Sequence, residues 1–184
     1  MSILKPLKQV SNMLDLNDLG KGLPAITPVF GKTLAEAGGV CFESEGHIKG
    51  DQLYVMGDSN NKYSLAWPPV TEQAIRCWND PEVTTEHGAV GVAVLLAKKE
   101  IGYAVIERSR KGTGFDYWMG DESSIPFQSK ARLEISGIRR GHDSIVKARV
   151  KQKLQQTNLS DGLLLPAYVI VVEFGWPQAA LRRK

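Results

Sequence analysis

From residue 84 onward the apolar and polar positions follow two periods. "TTEHGAVGVAVLLAKKE" is dense in apolar residues behind Thr84 or Thr85 as N-cap, which predicts a largely buried helix. Gly88 and Gly91 each cost that helix about 1 kcal/mol relative to Ala, so their presence points to close approach of another backbone. "YAVIERSR" and "ARLEISGI" alternate and predict strands, with "GTGFDYWMGD" between them. "DSIVKARVKQKLQQTN" predicts a helix with Asp143 or Ser144 as N-cap and a basic face. "LPAYVIVVEFG" is too β-branched for a comfortable helix and predicts a buried strand. The order is helix, strand, strand, strand, helix, strand: an α/β arrangement around a central mixed sheet.

The first 83 residues are less regular. "VSNMLDLNDL" predicts a short helix, and "GKGLPAITPVFGK" has too much Gly and Pro for a regular element. Between Gly39 and Trp67, "GVCFES", "DQLYVMG" and "KYSLAW" are separated by turn-like "GHIKG" and "DSNNK", predicting a three-stranded meander. "PPVTEQAIRCWND" predicts a short helix after its prolines. Residues 1–83 thus form an N-terminal elaboration packed on a core of residues 84–184, in one compact domain.

Composition narrows the class. The chain has 184 residues, 42% hydrophobic and 23% charged, with a net charge of +3 that neither demands nor excludes a polyanionic partner. No apolar run approaches the roughly 20 residues of a membrane span, so no membrane partner is expected. "MSILKPLKQVSNML" shows neither the apolar stretch nor the small-residue cleavage site of a secretory signal, which predicts a cytoplasmic protein. Cys41 and Cys77 stand alone and predict reduced thiols rather than a zinc site.

Alternation along "SKARLEISG" sends Ala131, Leu133 and Ile135 to one face and Lys130, Arg132, Glu134 and Ser136 to the other. Polar groups on a central strand are costly unless paired. Asp116, between bulky Phe115 and Tyr117, and Glu86, expected in the first turn of the buried helix, are carboxylates that can converge on Glu134. Taken singly, Glu86 fits a helix-dipole partner, Asp116 a turn residue, and Glu134 a partner of Arg132 or Arg108. Together they form a pattern.

In that pattern the chain resembles the PD-(D/E)xK phosphodiesterase superfamily, which includes restriction endonucleases and Holliday-junction resolvases. The resemblance covers about residues 84 to 175 and rests on element order, with Glu86 in "TTEHGAVG", Asp116 in "GTGFDYW" and Glu134 in "ARLEISG". It implies a restriction endonuclease-like core and metal-assisted hydrolysis of DNA phosphodiester bonds, in defence or repair. It further implies Mg²⁺, or Mn²⁺, held by Asp116, Glu134 and the Ile135 carbonyl, with Glu86 on a bound water or a second ion. Phe115 replaces the Pro that often precedes the Asp. Ser136 replaces the motif Lys, and a serine hydroxyl brings no positive charge. Lys130 shares the face but lies roughly 13 Å along the strand, and a Lys of the following helix, such as Lys147, is another substitute.

A DNA substrate needs basic groups beside the acids. Arg108, Arg110 and Lys111 precede Asp116, Arg139 and Arg140 follow the Glu134 strand, and Lys147 lies on the helix beyond. Asp121 and Glu122 read as solvated loop carboxylates, and His47, His87 and His142 lack partners at metal-ligand spacing. The loss of the motif Lys leaves a second reading open, a catalytically inactive nuclease-like fold that binds nucleic acid or serves as an assembly subunit. A third reading is an α/β structural protein whose acids are neutralised locally. A homodimer and a subunit of a larger nucleic-acid-processing complex both fit.

Overall fold

The computed structural model describes residues 12–184. These residues form eight strands: β1 Met13–Asp15, β2 Gln52–Gly57, β3 Asn61–Ala66, β4 Ala104–Arg108, β5 Tyr117–Gly120, β6 Ala131–Ile138, β7 Ala167–Glu173 and β8 Gln178–Arg183. The α-helices are α1 Pro28–Ser44, α2 Glu72–Cys77, α3 Pro81–Leu96 and α4 Asp143–Gln156. All strands join one mixed sheet in the order β1-β3-β2-β8-β7-β6-β5-β4. Within it β4, β5 and β6 run antiparallel in turn, and β7 returns parallel to β6 after α4. The α/β class and the helix, strand, strand, strand, helix, strand order of the second half are therefore present. The N-terminal strands extend the same sheet beyond β8 through the parallel β2–β8 pair.

Each helix start has a local cause. Thr27 caps α1 by accepting from Phe30 N at 3.2 Å, with Pro28 in the first turn. Asp80 caps α3 by accepting from Glu82 N at 2.9 Å and Val83 N at 3.1 Å. The cap is thus Asp80 rather than Thr84 or Thr85, both of which are buried inside the helix. His142 occupies the N-cap of α4, and Asp143 is its first residue.

α1 and α3 cover one sheet face, and the glycine expectation is met there. A Cβ on Gly88 would lie 3.2 Å from Gly38 Cα and 3.0 Å from Cys41 Sγ, while one on Gly91 would lie 3.2 Å from the Leu34 carbonyl oxygen. Leu133, Ile135, Ile170 and Val172 join α1 and α3 in that core. On the other face α4 sets Val146 and Val150 against Ile138, Val169 and Val171.

The N-terminal expectations need correction. "GVCFES" ends α1 instead of forming a strand, because Val40, Cys41 and Phe42 are buried against α3 and the sheet. The meander is therefore a β2–β3 hairpin. Val10 and Ser11 of the expected first helix lie outside the described residues. The remainder of that stretch is β1 and a 3₁₀ segment, Leu16–Lys21, in which Leu16 and Leu19 are buried. No helix among the described residues is long and apolar enough to cross a membrane.

Candidate active site

The polar face of β6 is compensated residue by residue. Arg132 is buried and donates to Leu165 O at 3.1 and 2.7 Å, to Thr157 O at 3.1 Å and to Ser160 Oγ at 2.7 Å. It also reaches Asp161 at 3.4 Å, so it braces the segment after α4 and leaves Glu134 to other partners. Ser136 Oγ accepts from Arg149 Nη1 at 2.8 Å. Glu134, only 1% exposed, accepts through Oε1 from Lys153 Nζ at 2.6 Å and from Gln156 Nε2 at 2.9 Å. Its Oε2 is buried without a partner.

Asp116 ends the approach to β5. Its N–H donates to Leu133 O at 2.8 Å, and its Oδ2 accepts from Ile135 N at 2.8 Å. The carboxylate thus takes the bond that a longer β5 would have made. Backbone groups of alternate strand residues address the same neighbour. The Ile135 carbonyl consequently sits on the Asp116 side of β6, like that of Leu133.

Asp116 and Glu134 interact directly. Burial, and then the Asp116 charge, push the Glu134 carboxyl up to about 7 against the opposing pull of Lys153. Burial also raises Asp116, opposed first by the Ile135 N–H and then by Lys153. A buried carboxyl beside a half-buried one, with one nearby ammonium, favours retaining a proton between them, or admitting a cation in its place.

A cavity of about 610 Å³ opens beside this pair, between α3, β6 and α4. Asp116, Ser136, Arg149 and Lys153 line it, and so does Glu86. Because α3 begins at Pro81, Glu82 takes the first-turn position expected of Glu86, which projects from further along the helix and is exposed. Among the described residues no three His, Cys, Asp or Glu side chains gather as a metal-ligating group. The expected three-acid convergence is therefore a pair, Asp116 with Glu134, and a third carboxylate across the same cavity. Among the described residues four buried side-chain polar atoms lack partners: Thr85 Oγ1, Tyr117 OH, Glu134 Oε2 and Arg139 Nη1. Three of those residues line this cavity and the fourth is Glu134 itself. Thr85 and Arg139 adjoin the Cys41 thiol, which burial pushes up to about 12.

The basic residues divide. Arg108 lines the cavity, its guanidinium 5.7 Å from the centre of the Tyr117 ring. Arg139 and Arg140 also line it, but both are paired with Glu45, Arg139 at 3.5 Å. Arg110 and Lys111 are exposed outside the lining. Lys147 lies on the opposite flank of α4, in a groove with Val150 and Arg182. Lys130 is exposed and bonded to Gln128 at 3.1 Å, away from the carboxylates. Glu122 pairs with Lys98 at 2.6 Å, and Asp121 accepts from Ser123. His47 and His87 contact main-chain carbonyls of Phe174 and Val83, each at 2.9 Å. Gln156 was not anticipated, and Lys153 and Arg149 were expected only as part of the basic, solvated face of the helix. Their spacing of four and three residues along α4 was the available signal, since it puts them on one helix face.

Comparisons with protein-family models, with curated proteins and with solved structures gave no match. Function is therefore read from the geometry of the site.

Proposed function

We propose that the protein is a metal-dependent nuclease that hydrolyses DNA phosphodiester bonds, with a restriction endonuclease-like core formed by α3, β4, β5, β6, α4 and β7. The observation that carries this reading is the pairing of buried Glu134 with half-buried Asp116, with Lys153 planted on Glu134. Isolated buried carboxylates are destabilising, and a purely structural role would be served at least as well by apolar residues.

The donor set fits a hard divalent cation such as Mg²⁺ or Mn²⁺. Glu134 Oε2, the Asp116 carboxylate and the Ile135 carbonyl are all oxygen donors, the class that Mg²⁺ prefers. When bound, such an ion supplies positive charge that polarises the phosphate and lowers the pKa of water. The protein's own groups do the rest. Lys153 brings to Glu134 the ammonium that Ser136 cannot supply, from the following helix but one face away from Lys147. Ser136 and Arg149 hold one another, which keeps a guanidinium at the cavity wall. Arg108 and Arg149 are positioned to engage phosphate oxygens, a sequence-independent contact. Glu86, across the cavity, orients water on the far side of the scissile bond.

The test incubates purified protein with circular and branched DNA in Mg²⁺, Mn²⁺ or EDTA, beside Asp116→Ala. Metal-dependent cutting that the substitution abolishes supports the reading, whereas cutting that survives it refutes the assignment of the site. The second reading, nucleic-acid binding without catalysis, draws on the incomplete acid cluster: Lys153 and Gln156 already occupy one Glu134 oxygen, and Glu86 stands apart. Binding without cutting in any metal would establish it.

A further inference from the structure

The face of the sheet that carries Glu134 continues past α4 onto strands that no helix among the described residues covers. Ile138 of β6 is opposite Glu173 of β7, Glu173 opposite Gln178 of β8, Gln178 opposite Tyr54 of β2, and Tyr54 opposite Lys62 of β3. Directly paired residues share a face, so this row runs from the end of the candidate active site to an open wing. There Tyr54 is 44% exposed, and Trp176, in the β7–β8 turn, is 69% exposed. Together with Met56, Asn60, Lys62 and Gln178 they line a cleft of about 640 Å³. Asp143, at the start of α4, is the acidic residue of that lining.

The turn that presents Trp176 is held through its main chain. The backbone N–H of Trp176 donates to Glu173 Oε2 at 2.9 Å, and that of Gly175 to Glu173 Oε1 at 2.8 Å. Pro177 O accepts from Tyr54 N at 3.0 Å. Glu173 Oε1 also accepts from Gly141 N at 3.2 Å, so one buried carboxylate ties the Trp176 turn to the loop carrying Arg139 and Arg140. Those two arginines line the candidate active site. The two clefts thus flank the N-terminal end of α4, joined by the loop that carries Arg139 and Arg140.

Two presented aromatic rings, an exposed amide and a lysine form the chemistry that recognises an unpaired nucleobase. The rings offer stacking faces, Asn60 and Asp143, both exposed, meet base edges, and Lys62 meets phosphate. Bases inside a duplex are already stacked and cannot offer a face to Trp176. We propose that the Trp176–Tyr54 cleft is a base-stacking subsite for an unpaired strand of the substrate, which passes around the start of α4 from the Asp116–Glu134 pair. Four residues along β6 and three strand spacings across put the subsite roughly 19 Å from Glu134, within reach of a few nucleotides of extended strand. The inference rests on the nuclease reading, and it selects substrates with single-stranded arms over fully paired ones.

The test measures affinity of the full chain in EDTA for fluorescently labelled oligo(dT) and for a blunt duplex, by anisotropy, in wild type, Trp176→Ala, Trp176→Phe and Tyr54→Ala. Trp176→Ala is expected to weaken oligo(dT) binding by about 5- to 100-fold and to leave duplex binding unchanged, with Trp176→Phe restoring most of the loss. Equal oligo(dT) affinity in wild type and Trp176→Ala overturns the subsite alone and leaves the Asp116→Ala cleavage test untouched. Equal loss on duplex and single strand also overturns it, since Trp176 would then be a general contact. No binding to either nucleic acid overturns the subsite and likewise leaves the cleavage test in metal to judge the nuclease reading.

Discussion

Glu134→Gln tests the carboxylate pair through stability alone. Gln keeps the shape and an acceptor for Lys153 and Gln156 but cannot ionise. In the native protein the Glu134 carboxyl is carried to about 7, chiefly by burial and then by Asp116. In the unfolded chain it titrates near the ordinary value of about 4.3, and each pKa unit is worth about 1.4 kcal/mol. The proton on this group therefore carries on the order of 3 kcal/mol of stability. The folded state binds the proton more tightly than the unfolded one, so that stability is fully present below about pH 4 and is lost as pH rises through about 7. Urea unfolding in EDTA, from pH 4 to 8, reads the difference between wild type and variant. The two should differ by about 1 kcal/mol or less at the acid end, and Glu134→Gln should become the more stable by on the order of 3 kcal/mol at pH 8. Because Asp116 titrates with Glu134, the difference reports the pair. Parallel profiles across the whole range would refute the pair geometry.

Lys153→Met should lower metal-dependent cutting by about 100-fold or more while leaving DNA affinity within about threefold. Ser136→Lys in that background should recover part of the rate, because it returns an ammonium to the β6 face; gel assays of initial rates check both. Gly88→Ala should destabilise the protein by about 1–3 kcal/mol, since the added methyl meets Gly38 Cα at 3.2 Å and Cys41 Sγ at 3.0 Å; chemical denaturation measures it.

The second half of the chain was legible because its strands and helices carry strong, opposed periods. Alternation in "ARLEISGI" separated an apolar face from a polar one, and the glycines of α3 announced the approach of α1. The first half misled for a physical reason. Val40, Cys41 and Phe42 form a short continuous apolar run, which periodicity alone cannot assign to strand or buried helix. The Thr27-Pro28 pair was the sign of a helix start, obscured by neighbouring Gly and Pro. β8, "QAALRR", was not foreseen, because Ala and Arg have little strand preference and its place is fixed by pairing with β7 and β2. At the site, Asp116 and Glu134 were found from their elements, since a strand end and a central strand fix direction. Lys153 was not, because choosing among the four cations of α4 requires knowing which face meets the sheet.

The nuclease reading requires that the carboxylate pair exist to hold a cation rather than a proton. Mn²⁺ binding, followed by electron paramagnetic resonance of the free ion at pH 8, tests that without DNA or turnover. One saturable site in the wild type, lost in both Asp116→Ala and Glu134→Gln, is the predicted result. Mn²⁺ binding unaffected by either substitution, or none in the wild type, would contradict it.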